Sequence, residues 1–329
     1  RMDIDNYIDY MAAEIFLSNE DWVYSNVVMW RRTGAYDDSD IPGHDGRFRW
    51  ATYDLDGAFG GSCAEAYYTV NTLEAATVET GTFSSYSRFF RGLLESDEFK
   101  AAWINRMCDL TNSWFEPVVT KGHINGIYAN LAPEIMENVD RWRYPSLATN
   151  LADRDLETPS LAKWLEIQDK LNTFAERRPR KIKEHIILKW GYSDTSEITV
   201  DVNDPAMGMV QVNTILLNEE LPGVNSSVYP WTGSYMNDVS LPLIAVPLPG
   251  YRFVEWMEIG DTDDTITWTP GGDISYTAVF EADPEYQNVL INEVMLNNDS
   301  YYSDLHGDYD DWSELFNPND YPINLSGCK

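Results

Sequence analysis

Asp21 and Asn26 stand five residues apart in the run Asn19-Glu20-Asp21-Trp22-Val23-Tyr24-Ser25-Asn26. A carboxylate and a carboxamide at this spacing match the D-x-x-x-x-N loop used for phosphoryl transfer, without the His-Arg that precedes it there. A second run, Tyr53-Asp54-Leu55-Asp56-Gly57-Ala58-Phe59-Gly60-Gly61, sets two acids beside a glycine-rich turn. In phosphoryl transfer the protein mainly positions groups and neutralises charge. Asp21 is therefore the candidate catalytic residue, placed to orient an acceptor hydroxyl and take its proton. Asn26, Asp54 and Asp56 are candidate metal ligands. They are hard oxygen donors of the kind that hold Mg2+ together with water and phosphate oxygens. If the Asp54-Leu55-Asp56 end is regular strand, both acids share one face, and Gly57, Gly60 and Gly61 let the backbone turn tightly. The structural alternatives are a turn acid at Asp21 and a hairpin-end turn at Asp54 and Asp56. Arg31 and Arg49 read as cross-strand neighbours rather than phosphate ligands.

The elements that must position these groups follow from periodicity. Ile4, Ile8, Met11 and Ile15 mark one face of a helix that ends at Asn19-Glu20. Val27 to Arg31 and Phe48 to Thr52 read as the two strands of a hairpin, with an Asp-, Ser-, Pro- and Gly-rich turn over 37–46. That hairpin carries Asn26 at one end of its first strand and Asp54 just past its second, so two distant positions are expected to meet. Helical stripes follow at Phe89–Leu94, at Phe99–Thr111, and from Ile124 to Met136 with Pro133 tolerated. A last stretch through Arg177-Arg178-Pro179, Ile182 and Ile186 stops at Gly191.

Beyond residue 196 the period changes to alternation, as in Ile198, Val200 and Val202, with short strands and Gly/Pro/Asn turns. Pro242, Pro247 and Pro249 suggest edge positions or bulges. From 288 onward a strand at Val289–Val294 leads into an acidic loop over 297–311, which does not fit the calcium-binding EF-hand pattern. The expected fold is multidomain and α+β: a mainly helical part over 1–193, a small all-β module over 196–283 and the start of a truncated β-sandwich over 288–329.

The 329 residues hold 23 Lys and Arg against 54 Asp and Glu, for a net charge of −31. Such a surface repels nucleic acid and anionic membrane. Hydrophobic residues at 43% are enough for packed cores and argue against disorder. Cys63, Cys108 and Cys328 make a poor disulfide framework, and Cys108 reads as a buried thiol. The histidines at 44, 123, 185 and 306 are too dispersed for a zinc site. No apolar run is long enough to span a membrane. The chain opens mid-pattern at Arg1-Met2-Asp3 and stops abruptly at Cys328-Lys329, so it reads as a fragment and its lack of targeting signals carries no information.

Residues 1–193 resemble the carboxy-terminal part of the spore coat protein H (CotH-like) kinase family. The resemblance lies in Asn19-x-Asp21-Trp22-x-x-x-Asn26, Trp50-x-x-Tyr53-Asp54-Leu55-Asp56-Gly57-x-Phe59-Gly60 and Phe174-Ala175-x-Arg177-Arg178-Pro179. Residues 196–283 resemble a divergent internalin-type repeat, through Tyr229-x-x-x-Gly233, Pro249-Gly250-Tyr251-x-Phe253-x-x-Trp256 and Thr277-Ala278-x-Phe280. Residues 289–327 resemble the opening of a lamin-tail-type immunoglobulin-like domain, through Ile291-Asn292-Glu293, Asp311-Trp312-x-Glu314 and Asn324-Leu325-Ser326-Gly327.

The resemblance implies an atypical kinase-like lobe that transfers the ATP γ-phosphate to protein hydroxyls with Mg2+. It also implies a secreted or cell-surface bacterial setting, and a cell-surface or matrix component as partner of the β modules. The nucleotide cover and phosphate-binding Lys of such enzymes would lie upstream of Asp21. This fragment is accordingly expected to bind ATP weakly. The alternatives are a catalytically dead surface-binding or adhesion protein and a glycan-cleaving enzyme using paired acids.

Overall fold

The computed structural model describes residues 1–34, 43–59, 67–81, 84–142, 160–224, 227–286, 288–319 and 322–323. Gly60, Gly61, Cys63, Cys328, the Asn324–Gly327 motif and most of the 37–46 turn lie outside them. Among the described residues the chain is α+β and multidomain, with helices over its first part and small sheets over the rest.

Helix α1 (Ile4–Leu17) begins at Asp3, whose carboxylate accepts from the Asn6 N–H at 3.1 Å. Its apolar face, including Met11, Ile15 and Phe16, is buried. Strands β1 (Val28–Trp30) and β2 (Arg49–Ala51) form the expected antiparallel hairpin, in the register Val28↔Ala51, Met29↔Trp50 and Trp30↔Arg49. The Asn6 carboxamide locks this hairpin to α1, accepting from Trp50 N–H at 2.7 Å and donating to Trp50 O at 3.2 Å. Arg49 adds ion pairs to Asp3 at 2.7 Å and Asp45 at 2.8 Å.

Helices α2 (Thr72–Ala76), α3 (Ser84–Leu94) and α4 (Asp97–Thr111) pack their buried residues around α1. Trp103, Ile104, Met107 and Cys108 of α4 are fully buried, as expected for the thiol. Helices α5 (Pro117–Leu131) and α6 (Ile135–Trp142) replace the single helix expected through Pro133. A proline has no N–H to donate and its ring crowds the carbonyl four residues back. Helix α7 (Leu161–Trp190) does run through a proline, Pro179, because Ala175, Arg178 and Ile182 are buried on both sides of it. It ends at Gly191 with φ 75, where glycine tolerates the left-handed conformation.

Two four-stranded sheets follow. One has the order β6 (Trp231–Met236), β3 (Thr195–Val202), β10 (Ile274–Ala282), β8 (Tyr251–Trp256), with β3 and β10 parallel. The other runs β5 (Ile215–Leu216), β4 (Gly208–Val212), β7 (Leu241–Pro247), β9 (Thr265–Trp268). Strand β7 lies inside its sheet, but in the strand register each proline pairs on one side alone, Pro242 with Thr267 of β9 and Pro247 with Gly208 of β4. Both prolines stand near the two ends of the strand, where a missing ladder donor costs least. Strands β11 (Leu290–Met295) and β12 (Trp312–Phe316) form a separate antiparallel pair.

The helical part and the two four-stranded sheets share one continuous apolar core. Polar bonds reinforce the seam. The Asn112 carboxamide pairs with the backbone of Ser234 in both directions, at 3.1 Å each, and covers the open edge of β6 as a strand would. Asp109, fully buried on α4, accepts from Tyr235 Oη at 2.8 Å, Asn213 Nδ2 at 2.6 Å and Thr214 N at 3.2 Å. Burial pushes its carboxyl up to about 6, and these bonds only partly oppose the shift.

A raised acid pKa means that the folded chain holds the proton more tightly than the unfolded one. The contribution of Asp109 to stability is full below pH ~4 and is lost as pH rises through about 6, a change on the order of 3 kcal/mol. Asp109→Ala should destabilise the protein by about 3 kcal/mol through its orphaned donors, and should flatten that part of the stability–pH curve. Urea unfolding of both proteins from pH 4 to 8 measures both effects.

Candidate functional site

The site is built at the C-terminal end of α1. The last four carbonyls of a helix have no partner within it, and in α1 all four are bonded. Glu14 O accepts from the N–H of Ser18, which caps the helix in the left-handed region at φ 57. Leu17 O accepts from Phe59 N–H at 2.6 Å. Ile15 O and Phe16 O accept from Arg178 Nη2 and Nε, each at 2.8 Å. The remaining Arg178 N–H groups go to Tyr68 O at 2.9 Å, Val70 O at 2.7 Å and Thr72 Oγ1 at 3.4 Å. The guanidinium thus uses its full donor set on oxygens without a formal charge, although it is 0% exposed. The negative end of the α1 dipole favours a cation there. Burial lowers its pKa only to about 10, which leaves it charged at neutral pH.

The Asp21 loop and the Asp54 turn are then stitched together. Glu20 N–H donates to Gly57 O at 3.1 Å, alongside the Phe59–Leu17 bond. The Trp22 indole donates to Tyr10 Oη at 2.7 Å and pins the loop to α1. Gly57 is needed for close approach rather than for a special turn. A Cβ there would stand 3.2 Å from Asn19 Oδ1 and 3.7 Å from Asp21 Oδ2. The left-handed positions are Asn26 at φ 58, Asp54 at φ 56 and Phe59 at φ 58. Asn and Asp tolerate that region. Phe59 is held in it by its bond to Leu17 and by contact with the Phe174 ring at 4.9 Å.

Asp54 and Asp56 do not end a regular strand, as expected from alternation. Asp54 precedes a single 3-10 turn over Leu55–Gly57, and that turn still brings the two carboxyls together. The Asp54 pKa is raised, first by the charge of Asp56, then by partial desolvation, a hydrogen bond with Asp56 and the charge of Asp21. The three acids therefore share one field, and all three are exposed to solvent. Asn26 is half-buried. It precedes β1 and Asp54 follows β2, so both leave the same end of the hairpin. Tyr24 Oη donates to Asp21 Oδ1 at 3.4 Å, and Ser25 Oγ donates to the Asp21 carbonyl at 2.6 Å.

The charge of a divalent cation would relieve the mutual repulsion of these acids. Among the described residues no group of three or more His, Cys, Asp or Glu is placed to hold a metal ion. A cation held here would complete its shell with water and phosphate oxygens, as Mg2+ commonly does. Arg31 stacks over Phe48 at 4.9 Å and Arg49 is held in ion pairs, so both serve the hairpin. Sequence reasoning assigned no role to Glu14, Asn19, Tyr24 or Ser25. It quoted Arg178 only within a motif, although an Arg-Arg-Pro inside an apolar helix face does signal a buried guanidinium.

A family model described as CotH kinase protein matches residues 1–182. The chain belongs to the CotH kinase family. The matched span holds α1, the hairpin, all four candidate site residues and Arg178. A second model, the divergent InlB B-repeat domain, matches residues 221–284. The two sheets that contain this repeat begin earlier, at Thr195. No curated protein and no solved structure matches the chain.

Two outcomes are expected for this CotH site. In Asp56→Asn the Asp54 carboxyl should titrate at lower pH than in wild type, as read by carboxyl 13C NMR. Arg178→Met should cost at least about 3 kcal/mol in urea unfolding, because it leaves carbonyls on two segments unpaired. Arg178→Lys, with fewer donors, should fall between.

Proposed function

We propose that this chain carries the acid–amide constellation of a phosphotransferase that moves the ATP γ-phosphate to protein hydroxyls with Mg2+, in a secreted or surface-attached bacterial protein. The observation that carries the reading is the shared field of Asp21, Asp54 and Asp56 on one stitched loop pair, with Asn26 at the same hairpin end. Family membership supports the phosphotransfer class. Acidic composition fits a protein substrate rather than nucleic acid.

In this reading Asp21 orients the acceptor hydroxyl and takes its proton at a carboxylate oxygen. Tyr24 and Ser25 hold the loop that presents it. Asp54, Asp56 and Asn26 would hold the cation, with Asn26 adding an oxygen but no charge. Bound Mg2+ would supply charge neutralisation on the phosphates. The Phe59–Leu17 and Glu20–Gly57 bonds keep the two acid-bearing segments from drifting apart, so position is set before substrate arrives. The InlB-type repeat and the β11–β12 pair belong to the surface-binding side of the protein.

The test is radiolabelled ATP transfer by the natural protein that contains these residues. Asp21→Asn and Asp54→Asn should each lower the rate by about 100-fold or more with the unfolding midpoint unchanged. Wild-type transfer in both variants would remove the assignment. Mn2+ broadening of the Asp54 and Asp56 NMR signals, lost in Asp54→Asn, checks the cation site separately.

A further inference from the structure

Glu14 and Asn19 present an anomaly beside this site. Glu14 is 0% exposed and Asn19 is 2% exposed. Asn19 Nδ2 donates to Glu14 Oε2 at 3.0 Å. The other oxygen of each side chain, Glu14 Oε1 and Asn19 Oδ1, is buried and has no partner among the described residues. Two orphan acceptors on side chains already bonded to each other share one remedy, a proton on the carboxyl. A protonated carboxyl has one O–H to donate and still accepts.

The surroundings agree. Among the described residues no cation bonds either carboxyl oxygen of Glu14. Arg178 of α7 spends its donors on carbonyls and Thr72. Arg106 of α4 is bonded to Asp9 at 2.6 Å, Asp109 faces the β sheets, and Glu74 of α2 pairs with Lys189 at 3.0 Å. His185 of α7 is kept neutral by burial and by the nearby Arg178. On α1 itself the charge of Glu14 would act on Tyr10, whose hydroxyl receives the Trp22 indole. Desolvation raises the Glu14 pKa, and the Asn19 bond opposes this.

We propose that Glu14 is carried as a neutral carboxylic acid, joined to the Asn19 carboxamide by a cyclic pair of hydrogen bonds. In this pair Oε1–H donates to Oδ1 while Nδ2 donates to Oε2, so that Glu14 and Asn19 act as positioning residues for the Asp21 loop. Asn19 is two residues from Asp21, and its Oδ1 faces Gly57 of the opposite turn. The pair thus ties the end of α1 to the loop by side chains, while Arg178 ties the same helix end to the Tyr68–Thr72 stretch. The pairing stands on its own geometry, and only its consequence for catalysis rests on the proposed function.

The sign of its pH dependence is fixed. A carboxyl whose folded pKa is raised gives stability that is full at low pH and is lost as pH rises through the folded value. A glutamine at this position keeps both bonds of the ring without a titrating proton.

The experiment uses the full chain labelled with 13C at glutamate carboxyls. One signal, absent in Glu14→Gln, should stay at its protonated shift to higher pH than the other glutamates. Glu14→Gln should keep the wild-type urea midpoint and lose the decline at rising pH, whereas Glu14→Ala and Asn19→Ala should lower the midpoint. A Glu14 signal that titrates with the others, or a Gln variant as unstable as the Ala variant, would overturn the pairing. If Glu14→Gln fails to fold, signal assignment by Asn19→Ala and the wild-type titration still decide the matter. None of these readouts is kinase activity, so an inactive site would leave the result standing.

Discussion

The Arg178 guanidinium, buried without an anion, is the constraint on which the rest of the lobe depends. Charge is costly to bury, and this one is paid for by oxygens from two separate segments rather than by a carboxylate. Its fork closes the end of α1, clamps the Tyr68–Thr72 stretch and fixes α7 against both. Because helix-end carbonyls otherwise face water or go unpaired, α1 can stop inside the protein only where such a donor waits for it. The catalytic candidate begins four residues beyond that stop. Asp21 can therefore be exposed and polar while resting on a wholly buried foundation.

The two carbonyls of the α1 end that Arg178 leaves are also used with economy. Ser18 closes the helix on Glu14, and Leu17 takes the N–H of Phe59 from the acid-bearing turn. A single helix terminus thus joins two loops that are far apart in sequence. The hairpin brings Asn26 to the same end, and Asn6 sets its angle to α1. In this frame the charge of Asp56, and to a lesser degree that of Asp21, raises the proton affinity of Asp54.

Much of this could be read from the chain alone. The α1 stripe and the hairpin are periodic or local signals, and both are present in the fold. The family motifs extended that reading to Arg178 as a word in a pattern. What stayed hidden depends on tertiary contact. Alternation could not reveal that Asp54 turns into the left-handed region, or that Gly57 serves as clearance for Asn19. Pro133 and Pro179 look alike in sequence, yet one breaks a helix and the other does not, because only Pro179 is buried on both flanks. In β7 the prolines sit where only one neighbour pairs, while the residues between them are flanked on both sides, a distinction that needs the strand order. Asp109 gave no hint at all, since a buried acid on an apolar helix is defined by the sheet that comes to meet it.

The unbroken core between the helices and the two sheets also has a mechanical meaning. Strand β6 rests on Asn112 and Tyr235 rests on Asp109, both presented by α4 or its end, and α4 in turn packs on α1. A pull applied through the repeat is delivered along that route to the helix whose tip carries the acids. The repeat is therefore a buttress rather than a leash, and tension on it would be felt as load on the lobe instead of slack in a linker.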